Sequence, residues 1–281
     1  MPEFTGTKIG QFCWFELATT DQAAAKKFYG GLFGWTANDQ PMGPNEVYTM
    51  LQLRGRDVGA CYTMRKEQRD QGVPPHWMTY IAVASADDAA AKAAALGGNV
   101  IAPAFDVFGV GRMAVIQDPT GAMFCVWQAK THSGVGVYGE PNSFCWSELL
   151  TRDTAAAQKF YTGLFGCDAY VTTNPAGFSY THWRMDGVDF GGMMALKPEW
   201  GPVPPHWMNY VSVTNCAETV AKATSRTNIV VISNIASAAG SASAVPASQR
   251  TTSPNPPGTI ESMKARKNPL TAQLRKWFQI A

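Results

Sequence analysis

Paired cysteines, a charge bias and long apolar runs are all missing from this 281-residue chain. Its six cysteines (Cys13, Cys61, Cys125, Cys145, Cys167 and Cys216) contain no C-x-x-C pair. A disulfide scaffold or zinc ribbon is therefore not expected, and reduced thiols in a cytoplasm are. Lys and Arg number 23 against 21 Asp and Glu, a net charge of +2. That is too close to neutral to advertise nucleic acid or an anionic membrane surface as a partner. No apolar run approaches the ~20 residues of a membrane-spanning helix. The opening MPEFTGTKIGQF also lacks the apolar centre of a signal peptide, so no membrane partner and a cytoplasmic location are the expectations. Charged residues are sparse at 16%, but apolar ones reach 46%, enough for a sizeable core. At about 150 residues per domain, the length fits two domains.

What the chain does have is a repeat. FCWFELATTDQAAAKKFYGGLFGW (12–35) returns as FCWSELLTRDTAAAQKFYTGLFGC (144–167), with 17 of 24 positions identical. VPPHWMTY (73–80) returns as VPPHWMNY (203–210). Two matches in the same order at nearly one spacing describe a tandem duplication. Within each copy a weaker repeat follows. An apolar run at Phe12–Ala18 leads to a helix pattern from Asp21 to Phe33, then strand-like runs at Val47–Leu53 and Val58–Met64. After QGVPP the order resumes, with strands expected at Met78–Ala84, Asn99–Ala102, Arg112–Gln117 and Met123–Gln128 around an alanine-rich helix at Asp87–Leu96. Thr20 or Asp21 starts the first helix, while Gly34 and Gly97 are stop signals. The strands are short β-branched and aromatic runs bounded by Gly, Pro and Asp. The expected class is α+β, with two βαβββ modules per copy.

That order, with FYGGLFGW and FYTGLFG closing a helix and GVGRMAVIQDPTGAMFCVW closing the first copy, resembles the vicinal oxygen chelate superfamily. This superfamily includes glyoxalase I, bleomycin- and fosfomycin-resistance proteins and extradiol dioxygenases. The Trp-x-Glu-Leu first strand and the PPHW hinge are similar to a two-domain tandem branch. The resemblance implies curved mixed sheets around a ligand-holding cup. It leaves open whether modules pair within a copy or between copies. It covers residues 8–130 as a complete domain and 140–230 as a second domain that is truncated after the helix of its last module.

From about Arg226 the composition changes. At an offset of 130 the second copy should repeat its Arg, Asp-Pro and Gly, but Ala242, Ser248, Gln249 and Thr251 stand there. Residues 231–281 are rich in Ser, Ala, Pro and Thr, as low-complexity segments are. Residues 1–225 carry 16 basic and 20 acidic groups, and 226–281 carry 7 and 1. A natural basic tail and an out-of-frame C-terminus are both consistent with this. If the last strands are missing, the second sheet keeps an exposed edge, which predicts poor stability or pairing with another chain, and a homodimer is the partner that this admits.

In metal-dependent members, the resemblance implies ligands from the first and last strands of each module. Those places fall on Trp14, near Cys61, on Met78 and on Cys125, and in the second copy on Trp146, about Met193 and Met208. None is a His or carboxylate, so the expectation is a site without metal. A divalent zinc, nickel or iron is the alternative if displaced positions ligate. Strand parity puts Glu16 on the face of Trp14 and sets His76 beside Met78, and Glu148 and His206 repeat them. His76 and His206 also fit a hinge histidine bonded to backbone. Glu16, mid-strand among apolar residues, is the candidate catalytic group, as a desolvated general base or ligand anchor. A buried carboxylate satisfied by backbone or by an arginine, for which Arg112 is a candidate, is the structural alternative. Trp14, Trp127, Tyr80, Phe105, Met78 and Cys125 complete the expected lining, with Arg112 and His76 as polar groups. The expected function is binding of a small, apolar or aromatic molecule. A metal-dependent lyase, isomerase or dioxygenase of the same fold is the alternative, and a non-catalytic interaction protein is the third.

Overall fold

The structure, a computed structural model, describes residues 7–44, 46–226 and 235–237. Its first copy begins with β1 (Phe12–Thr19), α1 (Gln22–Phe33), β2 (Thr36–Gly43), β3 (Glu46–Leu53) and β4 (Arg56–Thr63). A short helix, α2 (Lys66–Asp70), leads to β5 (His76–Ala82), α3 (Ala86–Ala95), β6 (Asn99–Val107), β7 (Gly111–Gln117) and β8 (Met123–Ala129). The second copy follows with β9 (Phe144–Thr151), α4 (Thr154–Phe165), β10 (Asp168–Thr173), β11 (Ser179–Met185) and β12 (Val188–Ala195). It ends with β13 (His206–Val213), α5 (Cys216–Arg226) and β14 (Ile235–Ser237).

Local chemistry explains the boundaries. Asp21 caps α1 by accepting the Ala24 amide, and Asp153 caps α4 by accepting that of Ala156. Gly34 and Gly166 end the two helices with φ of 74° and 70°, which glycine adopts at least cost. The strand β2 had no sequence signal. TANDQPMG is exposed throughout, so no buried face imposes alternation, and Pro41 is tolerated because β2 is an edge strand.

The eight strands of the first copy form one mixed sheet in the order β2-β3-β4-β1-β5-β8-β7-β6. At its centre β1 runs antiparallel to β5 and parallel to β4, and β5 runs parallel to β8. The two modules therefore pair within the copy, which answers what the sequence left open. The second sheet repeats the order as β10-β11-β12-β9-β13-β14. Sequence reading found no strand beyond Val231. The three-residue β14 nevertheless lies parallel to β13, with Val211 opposite Ile235, in the place that β8 takes beside β5. The rest of the 231–281 tail lies outside the described residues.

One face of each sheet packs on helices. Cys13, Phe15, Leu17, Leu51, Phe124, Val126, Ala114 and Ile116 are all buried in that core. The copies meet through the repeated segments themselves. Asn209 Nδ2 donates to Thr79 Oγ1 at 2.9 Å, and Ser147 Oγ donates to Asn209 Oδ1 at 2.7 Å. Phe124 of β8 packs on Phe160, Tyr161 and Phe165 of α4. The DPTG turn joins this seam. Asp118 Oδ1 accepts the amides of Thr120, Gly121 and Ala122 and the Thr120 hydroxyl, while Oδ2 accepts the Tyr161 hydroxyl at 2.9 Å. Trp207 Nε1 in turn donates to that hydroxyl at 3.0 Å.

Candidate functional site

On β1 the residues Trp14 and Glu16 point away from the helices, as their two-residue spacing requires. Glu16 lies between Ala60 of β4 and Met78 of β5 in register. Its two oxygens are taken by phenols from either side. Tyr48 of β3 donates to Oε2 at 2.7 Å, and Tyr80 of β5 donates to Oε1 at 3.0 Å. Trp14 Nε1 donates to the Tyr48 hydroxyl at 3.0 Å. The result is a closed chain from indole through phenol to carboxyl. Burial pushes the Glu16 carboxyl above the ordinary glutamate range, and the two tyrosine hydrogen bonds offset this only in part. Burial, with Glu16 nearby, also holds the Tyr48 and Tyr80 hydroxyls well above the usual phenol value. They are proton donors at neutral pH.

The remaining expected residues divide. Cys125 lies opposite Tyr80 on β8 and is fully buried, and burial raises its thiol far above the ordinary range. Trp127 packs edge-on to Tyr80, with ring centroids 6.5 Å apart. Its indole lies across Gly111, where any Cβ would stand 2.2 Å from the ring. Met78 shares the row of Glu16. His76 sits at the end of β5 opposite Ala18, and its Nδ1 lies 2.8 Å from the Pro74 carbonyl. His206 repeats that contact with Pro204, also at 2.8 Å, which accords with a hinge histidine. Phe105 stands on the edge strand β6 opposite Met113 and is 45% exposed.

Arg112 does not join the site. On β7 it shares a face with Ala114 and Ile116, which are wholly buried beneath the helices, so it points away from Glu16. Its guanidinium pairs with Asp87 of α3 at 2.7 and 2.9 Å and also donates to the Ala104 carbonyl. The Glu16 partner is instead Tyr48, which the sequence did not single out. The signal for it is the pair Tyr48-Thr49, which returns as Tyr180-Thr181 at the same repeat offset that brings Gly55, Asp57 and Gly59 back as Gly187, Asp189 and Gly191. The places expected near Cys61 and about Met193 fall on the residues just before them. The Cys61 and Met193 side chains are buried in the helix-side core, and Ala60 and Gly192 occupy the site face.

The second copy rebuilds the same cluster. Trp146 Nε1 donates to the Tyr180 hydroxyl at 2.9 Å, and Tyr210 donates to Glu148 Oε1 at 2.9 Å. Tyr180 is the second phenol bonded to Glu148, whose carboxyl burial likewise raises. Met208 lies opposite Glu148. On the far side of Gly192 stands His182, stacked on Tyr170 at 4.6 Å. There Asp189 accepts from Tyr170 at 2.6 Å and from Arg184 at 2.7 Å.

Neither cluster fits a hard divalent ion. Such ions want several oxygen or imidazole donors around one point. Around Glu16 the register supplies a methyl and a thioether, and both carboxyl oxygens already accept from phenols. Among the described residues, no group of three or more His, Cys, Asp or Glu could hold a metal. No described helix is long and apolar enough to cross a membrane.

Comparison with known proteins agrees with this architecture. The model of the Glyoxalase/Bleomycin resistance protein/Dioxygenase superfamily matches residues 9–126. A protein of Mycobacterium tuberculosis provisionally named a glyoxylase, CFP32, is 40% identical over 224 residues, which is 79% of this chain and 85% of that one. The anthracycline biosynthesis protein DauV of Streptomyces sp. strain C5 is 36% identical over 224 residues, covering 76% of this chain and 81% of that one. The chain belongs to the glyoxalase/bleomycin resistance/dioxygenase superfamily. In fold it is similar to the Mn(II)-bound glyoxalase of Novosphingobium aromaticivorans, with a TM-score of 0.54 at 14% identity, covering 78% of this chain and 70% of that one.

Proposed function

We propose that the first copy, complete over residues 8–130, binds a small aromatic or largely apolar molecule against Trp14 and Trp127 without a metal ion. Glu16 is then its polar anchor. The observation that carries this reading is the carboxyl held between two phenols. Each of its oxygens accepts from one phenol and keeps a second lone pair, and the neighbours across the sheet offer a methyl and a thioether rather than further metal donors. A pocket that is mainly apolar with a few fixed polar groups is the usual form of a small-molecule site. The relationship to proteins named for anthracycline biosynthesis makes a flat polycyclic ligand the natural first class to test.

Titration of tryptophan fluorescence with 1,4-dihydroxyanthraquinone tests the reading. Saturable quenching that Trp14→Phe weakens several-fold is expected. An identical response in Trp14→Phe, or none in the wild type, would reject it and favour a non-catalytic interaction protein. Elemental analysis of protein purified without chelator addresses the metal separately: one zinc, nickel, iron or manganese per chain would overturn the metal-free reading.

A second reading has a specific observation in its favour. A buried carboxyl with a raised pKa is suited to accept a proton, and Tyr48 and Tyr80, whose hydroxyls donate to its two oxygens, hold it in place. Under that reading Glu16 is a general base toward an α-oxo or phenolic substrate. A Glu16→Gln variant that turns over such a substrate at the wild-type rate would dismiss it.

A further inference from the structure

The segment after β8 turns back over the first site before it reaches β9. The amides of Lys130, Thr131 and His132 all donate to the Val110 carbonyl at 3.1 Å. Val135 N donates to Cys13 O at 2.8 Å, and Gly136 N donates to Asp57 O at 2.7 Å. Gly134 permits this approach: its φ is 115°, and a Cβ there would stand 2.3 Å from the Cys13 oxygen. Trp127 Nε1 donates to the His132 carbonyl at 2.9 Å. The backbone is thus pinned on both sides of one side chain. The His132 imidazole lies edge-on to Trp14, with centroids 4.5 Å apart at 90°, and 6.1 Å from the Trp127 ring. Its Nε2 is buried and meets no hydrogen-bond partner among the described residues. Leaving a buried nitrogen unpaired costs about 1–3 kcal/mol, and an exception of that kind calls for a cause. Burial also holds the imidazole below the ordinary histidine value, so it is neutral at pH 7, able to donate or accept through Nε2 according to tautomer.

We propose that His132 Nε2 is the hydrogen-bonding contact of the first site, selecting aromatic ligands that carry a hydroxyl or carbonyl at the ring edge seated against Trp14 and Trp127. This rests on the aromatic-binding role proposed above for the same site. Polar substitution is what distinguishes a preferred ligand here, because a plain hydrocarbon leaves Nε2 as costly as before. The corresponding place in the second copy, at 262–264, lies outside the described residues.

Equilibrium dialysis of the full chain against naphthalene and 2-naphthol separates the two ideas. In the wild type the ratio of the two dissociation constants should favour 2-naphthol. His132→Phe, which keeps a ring against Trp14, should reduce that ratio about fivefold to tenfold while leaving naphthalene binding in place. His132→Gln, which restores a donor and an acceptor, should recover part of it. An unchanged ratio in His132→Phe overturns the assignment of His132, whose nitrogen would then be served by ordered water. Failure of the wild type to bind either probe overturns the aromatic-ligand reading itself.

Discussion

Two carboxyl sites stand in this chain, and their agreement is as informative as their difference. Glu16 and Glu148 are each clamped by two tyrosines, and in each the first tyrosine is supported by an indole N–H. The flanks differ. Across the sheet from Glu16 run Ala60, Met50 and Asn38, whereas across from Glu148 run Gly192, His182 and Tyr170. The Trp–Tyr–Glu–Tyr unit therefore does not depend on its neighbours, and each copy is free to line its site differently. The seam differs as well. Tyr161 links Trp207 to the buried Asp118, whereas Tyr29 accepts from Trp77 and meets no carboxylate among the described residues.

The seam offers the largest test of that comparison. Tyr161→Phe would leave both Asp118 Oδ2 and the Trp207 N–H without their tyrosine partner in a buried place, at a cost of about 3 kcal/mol. Tyr29→Phe removes a single acceptor from the half-buried Trp77 and should cost about 1 kcal/mol. Urea midpoints at constant m-value measure both. Equal losses would mean that the two seams are equivalent despite the missing carboxylate.

Next comes Gly192. A Cβ there would stand 2.1 Å from the Tyr180 hydroxyl, yet the first copy carries Ala60 at the same register place with its tyrosine–glutamate bond intact. Gly192→Ala should therefore shift Tyr180 rather than unfold the sheet, costing about 2 kcal/mol and weakening the Tyr180–Glu148 bond. An unaltered midpoint would show that Tyr180 has room which its present position does not use.

Much of this was legible in the sequence, and the reasons are physical. The duplication fixed the element order, the Asp and Gly caps fixed α1 and α4, and the two-residue strand period placed Glu16 with Trp14. Arg112 was misplaced because a strand's period says which residues share a face but not which face is the site. On β7 only the burial of Ala114 and Ile116 settles it. The places near Cys61 and about Met193 resolve to Ala60 and Gly192, because a shift of one residue turns a side chain to the opposite face. The exposed β2 escaped because nothing apolar marks it. His132 had no signal at all, since it lies in a connecting segment whose path depends on the Val110 and Cys13 carbonyls, distant in sequence, as well as on the nearby Trp127 indole.

Titration sharpens the comparison on a smaller scale. Burial raises the Glu16 carboxyl, so the folded chain keeps its proton to a higher pH than the unfolded chain does, whose glutamates titrate near pH 4.3. The stability this contributes is complete below the ordinary carboxylate range and is lost as pH rises through the folded value. Glu16→Gln removes that loss. Its stability relative to wild type should climb as pH rises from 4 to 8, read from urea midpoints across that range. A flat difference would mean that the two tyrosine bonds fully offset burial.

His182 gives the smallest effect and the opposite sign. Its imidazole is held below the ordinary value first by burial and then by Arg184, with Asp189 pulling the other way. A depressed histidine stays neutral in the fold while the unfolded chain takes up a proton near pH 6.5. The chain should therefore lose stability as pH falls from that point toward the folded value. The first copy has Met50 at this register place, so His182→Met supplies the counterpart residue. It should remove the acid-side loss at pH 5 and leave the neutral-pH midpoint nearly unchanged. If the variant is instead destabilised at pH 7, then Tyr170, Asp189 and Arg184 need the imidazole to hold their arrangement. His182 would then be part of what shapes the second site rather than a residue that merely lines it.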